Sequence, residues 1–150
     1  MRTRLKISAL AAVIIAMTNM PGSAQVREAV YRGTMVCEKL PFTVGNGREA
    51  IEVTVSASSV RYKHAVRLHG TAAPTAEQGN GALNGDTISL QGSWTGGNRR
   101  YDAKYSGTFV RRHAHLTGTQ TWKDGGKTIT RACSGSIKRP FRVFLPREKK

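Results

Sequence analysis

The chain has 150 residues, of which 24 are Lys or Arg and nine are Asp or Glu, so its formal net charge is +15. Hydrophobic residues make up 39% of the sequence, and a chain of this length can bury the core of one domain. Beyond the first segment no stretch is apolar enough to span a bilayer, so we do not expect an integral membrane protein.

Residues 1–24 have the three parts of a cleavable secretory signal. Three basic residues precede an apolar run of 11 residues, Ile7 to Met17, and Pro21 then stops any helix. Small residues lead to a cleavage site after Ala24. A membrane anchor is the alternative, but the run is far shorter than the roughly 20 residues that a span needs. The segment predicts export to the periplasm or beyond the cell, with residues 25–150 as a single mature domain.

Removal of the signal leaves 21 basic and nine acidic residues, a net charge of +12. Such an excess favours polyanionic partners, among them anionic lipids and acidic glycans. Nucleic acid is disfavoured, because export separates the protein from it. The alternative is that the charge serves only solubility.

The mature chain alternates apolar and polar residues with a period of two, which is typical of half-buried strands. The first predicted strand holds Tyr31 and Met35, and the third has a basic outer face that includes Arg61 and Lys63. The inward faces of the second, third and later strands are Ile51, Val53 and Val55; Val60, Tyr62, His64, Val66 and Leu68; Ile88, Leu90, Gly92 and Trp94; Tyr101, Ala103, Tyr105, Gly107 and Phe109; Ala114, Leu116, Gly118 and Trp122; and Ile129, Cys133 and Ile137.

Turn residues separate these strands. The segments 45–47, 84–86, 96–98 and 124–126 supply the glycine or asparagine that tight hairpins require. Residues Thr71–Gly81 are predicted to form a longer loop that leads into a short strand. Together the elements predict an all-β fold, an antiparallel up-and-down meander of about eight strands closed into a small barrel. A β-sandwich is the alternative.

Cys37 and Cys133 are the only two cysteines, and both follow the signal. In an exported chain this count predicts one disulfide. Each cysteine shares the inward parity of its strand, so a bond between the first and last strands would seal the barrel. Free thiols or a metal site are the alternatives, and two cysteines without a cluster of histidines make a poor zinc site.

Sequence motifs for catalysis are absent: there is no phosphate-binding loop, nucleophile elbow or dinucleotide fingerprint. Most acidic residues lie at predicted strand ends or turns, so no pair of carboxylates is expected on the inner face. His113 and His115 share a face, but no third or fourth metal ligand is evident. The sequence predicts no catalytic residue, no cofactor and no metal.

Arg131 points inward by parity, and a buried guanidinium must be paired or stacked. It either binds an anion inside the barrel or packs on Tyr31 or a tryptophan. Inward aromatic residues either fill the core or line a cavity for one small ligand. The candidate cavity residues are Tyr62, Trp94, Tyr101, Tyr105 and Trp122.

Alternate loops of a meander share one end of the barrel, which places several basic residues together. The candidate anion-binding residues are Arg111, Arg112, His113, Lys138 and Arg139, with Arg131 added from the interior. A basic tail, from about residue 139, adds Arg142, Arg147, Lys149 and Lys150.

Glycines, aromatic residues and cysteines recur at short fixed spacings, as Tyr31-x-Gly33-x-x-x-Cys37, Leu83-x-Gly85, Leu90-x-Gly92-x-Trp94, Tyr105-x-Gly107, Leu116-x-Gly118-x-Gln120-x-Trp122 and Arg131-Ala132-Cys133. This pattern resembles small exported β-barrel proteins of uncharacterised function from Gram-negative bacteria, especially alphaproteobacteria. Lipocalins and avidins are similar in architecture only. The first strand has Gly33-Thr34-Met35 where a lipocalin has Gly-x-Trp, and no binding residue is carried over from either family.

These observations favour an exported, non-catalytic binding protein for an anionic surface or a small ligand. The alternative is an inhibitor or interaction module that acts on another exported protein. The sequence does not indicate an oligomeric state.

Overall fold

The computed structural model describes residues 28–44, 47–70 and 75–140. The predicted signal, residues 1–24, lies outside the described residues. Within them, no helix has the length and apolar character needed to cross a membrane. The strands are β1 (Ala29–Cys37), β2 (Arg48–Val55), β3 (Val60–Val66), β4 (Thr75–Asn84), β5 (Thr87–Gly96), β6 (Arg99–Val110), β7 (His113–Asp124) and β8 (Lys127–Lys138).

The strands form a closed barrel in sequence order, and every neighbouring pair is antiparallel. Pairing of β1 with β8 closes the sheet and leaves no strand edge unpaired. The predicted eight-stranded meander is therefore confirmed, and the sandwich is not formed. Cys37 and Cys133 are direct partners across this seam and form the predicted disulfide.

Glycine conformation accounts for most of the tight turns. Gly85, Gly97 and Gly125 each have a positive φ at a turn that the sequence predicted. The β6–β7 turn is different, because it contains no glycine. There Arg111 adopts a φ of 59°, in the left-handed region that a non-glycine residue seldom occupies.

Strand β4 corrects the prediction of a loop over Thr71–Gly81. Residues Thr75–Gly81 pair with β3 and Gln78–Asn84 pair with β5, whereas 71–74 lie outside the described residues. The inward positions of this strand begin with Glu77, Gly79 and Gly81, which are polar or lack a side chain. Hydrophobic alternation therefore gave no indication of the strand, although the barrel needs its backbone to close.

The two ends of the barrel are built differently. The β2–β3, β4–β5 and β6–β7 turns lie at one end, together with the start of β1 and the finish of β8. Segment 38–44 covers the opposite end. It is held there by a backbone hydrogen bond of 3.0 Å from His69 N to Phe42 O and by the Phe42 ring, whose centroid is 5.0 Å from that of Trp122.

The interior is layered along the barrel axis. The layer beside the first of these ends is apolar and contains Val60, Ile88, Ala114 and Ile137, all buried. Buried polar side chains lie in the layers toward segment 38–44. The core of the barrel is therefore apolar near one end and partly polar toward the other.

Candidate functional site

The expectation that no carboxylate pair faces inward is wrong. Glu49 and Glu77 are 3% and 0% exposed, and His64, at 0%, lies between them. We call the buried polar group the interior network; its members are Glu49, Tyr62, His64, Glu77, Tyr101, Tyr105, Gln120 and Arg131.

Glu77 is the hub of the interior network, because five side chains donate hydrogen bonds to its carboxylate. The donors are Tyr62 at Oε1 and, at Oε2, Tyr101 (2.7 Å), Tyr105 (3.0 Å), His64 Nδ1 (3.1 Å) and Gln120 Nε2 (3.2 Å). Burial by itself would raise the pKa of Glu77, but these hydrogen bonds and the attraction of His64 hold the pKa below its usual value. The site therefore keeps one fully buried carboxylate ionised.

The three tyrosines of the network serve as fixed donors. Burial, followed by the negative charge of Glu77, raises the pKa of Tyr62, Tyr101 and Tyr105 far above the usual value. Their hydroxyl groups therefore stay protonated. Protonated hydroxyl groups replace hydrogen bonds that a buried carboxylate would otherwise receive from water.

Glu49 occupies a poorer environment than Glu77. Its Oε1 accepts the Arg67 backbone N–H at 3.1 Å, while its Oε2 lies 3.4 Å from His64 Nε2 and has no hydrogen-bond partner within the described part of the chain. Burial raises the pKa of Glu49, against opposing attractions from His64 and Arg131. The two buried carboxylates therefore have opposite pKa shifts.

Gln120 joins the two ends of the network. Its amide nitrogen donates to Tyr105 Oη at 2.8 Å, and its oxygen accepts from Arg131 Nε at 2.8 Å and from Trp122 Nε1 at 3.2 Å. Arg131 Nη1 also donates to the Glu38 carbonyl at 3.0 Å. One amide thereby links the hub to the segment that covers the barrel end.

Arg131 is 1% exposed, as its parity predicted. Its guanidinium carbon lies 5.3 Å from the centre of the Trp122 ring, so the interpretation that it packs on a tryptophan is confirmed. Burial lowers its pKa, against the attraction of Glu49. Anion binding by Arg131 stays a prediction.

The five candidate cavity residues are all buried in the barrel. Trp94, Tyr101 and Trp122 form a packed group with ring centroids 4.3–5.9 Å apart. Tyr62 and Tyr105 are within 6.0 Å of each other, and both bond to the hub. The polar atoms of these side chains already bond to Thr75, Glu77 and Gln120. Binding of a small ligand among them stays a prediction.

Two glycines make room for the hub. A Cβ atom at Gly79 or Gly92 would overlap the Tyr62 ring or its hydroxyl. Because these two positions have no side chain, the Tyr62 side chain has room to bond to Glu77. Gly92 was on the predicted inner face, where it was a usable sign of a large neighbour, whereas Gly79 was in the segment predicted to be a loop.

Chemically, the network is suited to holding the barrel together. A catalytic group must touch its substrate, and Glu77, His64 and Gln120 expose no surface in the closed barrel. Within residues 28–44, 47–70 and 75–140, no group of three His, Cys, Asp or Glu side chains is placed to hold a metal ion. His113 and His115 are both exposed.

The structure brings five of the six candidate anion-binding residues together. Arg111, Arg112 and His113 form the β6–β7 turn, where His113 is the register partner of Lys138. Arg139 N donates to Arg112 O at 3.0 Å. We call this surface the basic end: Arg111, Arg112, His113, Lys138 and Arg139. Arg131 does not belong to it, because it lies inside the barrel toward the opposite end.

The outer face of β3 is a different kind of basic surface. Arg61 is paired with Glu28 at 3.3 Å, and Glu52, opposite Lys63 in the register, is paired with Arg32 at 2.7 Å. At the basic end, no ion pair among the described residues involves Arg111, Lys138 or Arg139. Arg111, Lys138 and Arg139 are therefore available to an external anion, whereas Arg61 of β3 already has an acidic partner.

No protein-family model matches this chain, and no curated protein does.

Proposed function

We propose that the mature chain is an exported, non-catalytic binding protein that uses the basic end to hold a polyanionic partner. The observation that carries the proposal is the convergence of Arg111, in the β6–β7 turn, with Lys138 and Arg139 at the end of β8. No ion pair among the described residues involves any of these three cations. Asp86 is the one acidic residue of the neighbouring β4–β5 turn, and the five basic residues of the basic end outnumber it.

Burial of carboxylates supports the same proposal. Two of the nine acidic residues, Glu49 and Glu77, lie inside the barrel, whereas Arg131 is the single buried Lys or Arg among the described residues. The outer surface is therefore more basic than the composition alone indicates. A partner that approaches from solvent meets this excess as a long-range attraction.

Heparin is a suitable test polyanion, with affinity for the mature chain measured over a series of salt concentrations. Arg111→Asn combined with Lys138→Gln removes two charges from the basic end, and Asn tolerates the left-handed backbone at residue 111. At about 1 kcal/mol per cation beside an anionic surface, we expect affinity to fall about 30-fold and its salt dependence to weaken.

The matched control is Lys123→Gln with Lys127→Gln, which removes the same charge from the opposite end. It should change the affinity far less. Binding that is insensitive to salt, or equally weakened by both pairs, would exclude the basic end as the site. Docking on another exported protein stays the alternative prediction.

A further inference from the structure

Two apolar side chains project beside the basic end. Val110 is 69% exposed and Leu83 is 42% exposed, the largest values among the exposed large hydrophobic residues in the described ranges. Val110 directly precedes Arg111, and Leu83 lies at the β4–β5 rim. The two turns are neighbours, because Phe109 N donates to Asp86 O at 2.8 Å.

Single exposed apolar residues are ordinary on a protein surface, so their position is what matters here. The other two, Val36 and Val44, are 40% and 37% exposed and lie toward the opposite end. The basic end therefore combines cations with the most exposed apolar tips. A bilayer surface offers partners to both, as anionic headgroups and an apolar phase lie within a few ångströms of each other.

The sequence that follows β8 has the same mixed character. β8 ends at the basic end, so the chain continues from there. Residues 141–150, which lie outside the described residues, include Phe141, Val143, Phe144 and Leu145 together with four Lys or Arg. Apolar and basic residues in one short segment are typical of segments that bind the membrane interface.

We propose that the basic end docks on the surface of an anionic lipid bilayer, with Val110 and Leu83 entering the interface between the headgroups. This inference rests on the proposed function and names its partner. A glycan would engage the cations equally well, but it offers no apolar phase to the two tips. The apolar tips therefore distinguish the two partners.

The test compares binding of the same protein to two polyanions, of which only one offers an apolar phase. The mature chain is titrated with phosphatidylcholine vesicles that contain phosphatidylglycerol, and separately with heparin. Val110→Ser with Leu83→Ser should weaken vesicle binding about tenfold or more, since two apolar side chains no longer leave water. Heparin affinity should not change. The matched control, Val36→Ser with Val44→Ser, should alter neither.

Insertion has a second readout that does not depend on losing an apolar residue. Trp94 and Trp122 are 5% and 0% exposed, so an indole placed on the surface dominates any solvent-dependent change in emission. Val110→Trp should shift to shorter wavelength on adding anionic vesicles, and Val36→Trp should not.

The outcomes separate this inference from the proposed function. Bilayer docking would be overturned if Val110→Ser/Leu83→Ser bound vesicles as tightly as the wild-type protein, or if it lost as much affinity for heparin as for vesicles. An emission spectrum of Val110→Trp that does not shift on adding anionic vesicles would also overturn it. The proposed function would stand if heparin binding still depended on Arg111 and Lys138. Failure of that dependence would overturn both.

Discussion

Inside the barrel, the carboxylate of Glu77 accepts five hydrogen bonds and exposes no surface. At the basic end, by contrast, Arg111 and Lys138 are exposed to solvent and have no ion-pair partner among the described residues. A buried charge is tolerated only when its neighbours replace water. A surface charge already has water and is free to exchange it for a partner. Charged side chains therefore stabilise the fold inside the barrel and stay available to a partner at the basic end.

The largest effect is expected from the interior. Glu77→Gln keeps the shape of the hub but removes its charge and one acceptor oxygen, which leaves buried donors without a partner. We expect the free energy of unfolding, measured with urea, to fall by about 3–5 kcal/mol. Glu52→Gln is the matched control on the surface, where its pair with Arg32 is half-exposed and should contribute about 1 kcal/mol or less. Similar losses of unfolding free energy in the two variants would contradict the expectation that the buried carboxylate contributes more to stability than the surface pair.

A pH series should separate the two buried carboxylates. The pKa of Glu77 is lowered in the folded state, so its stabilisation is present above the unfolded value near 4.5 and is lost as the pH falls below it. The pKa of Glu49 is raised, so its contribution is present below about 4.5 and is lost as the pH rises through the folded value.

Relative to the wild-type protein, the stability deficit of Glu77→Gln should therefore narrow on acidification, and that of Glu49→Gln should narrow as the pH rises. Urea unfolding of both variants across the acidic and neutral range measures the two trends. Parallel trends would show that the two carboxylates share one environment.

The smallest effect on stability is expected at the basic end. Arg111→Asn with Lys138→Gln removes no buried contact, and Asn suits the φ of 59° at residue 111. The free energy of unfolding should change by about 0.5 kcal/mol or less. Thermal and urea unfolding of this double variant check the expectation. A loss of stability comparable with that of Glu77→Gln would show that these cations stabilise the fold.

Sequence period alone was sufficient for most of the fold. Residues two apart share a face, glycines mark the turns, and the cysteines of the first and last strands have the parity to meet. The same rule placed Arg131 inside and gathered Arg111 and Lys138 at one end. These are local properties of the chain combined with the short connections of a meander.

Strand β4 and the interior network were decided by the tertiary structure. Glu77 has inward parity, but neither its charge nor the glycines that follow it indicate a strand in a hydrophobic pattern. Its donors come from 13 to 43 residues away in the chain, so no short motif contains them. A buried carboxylate is stable only after several strands have assembled their donors around it. Barrel closure, rather than local sequence, therefore decides that Glu77 can lie inside.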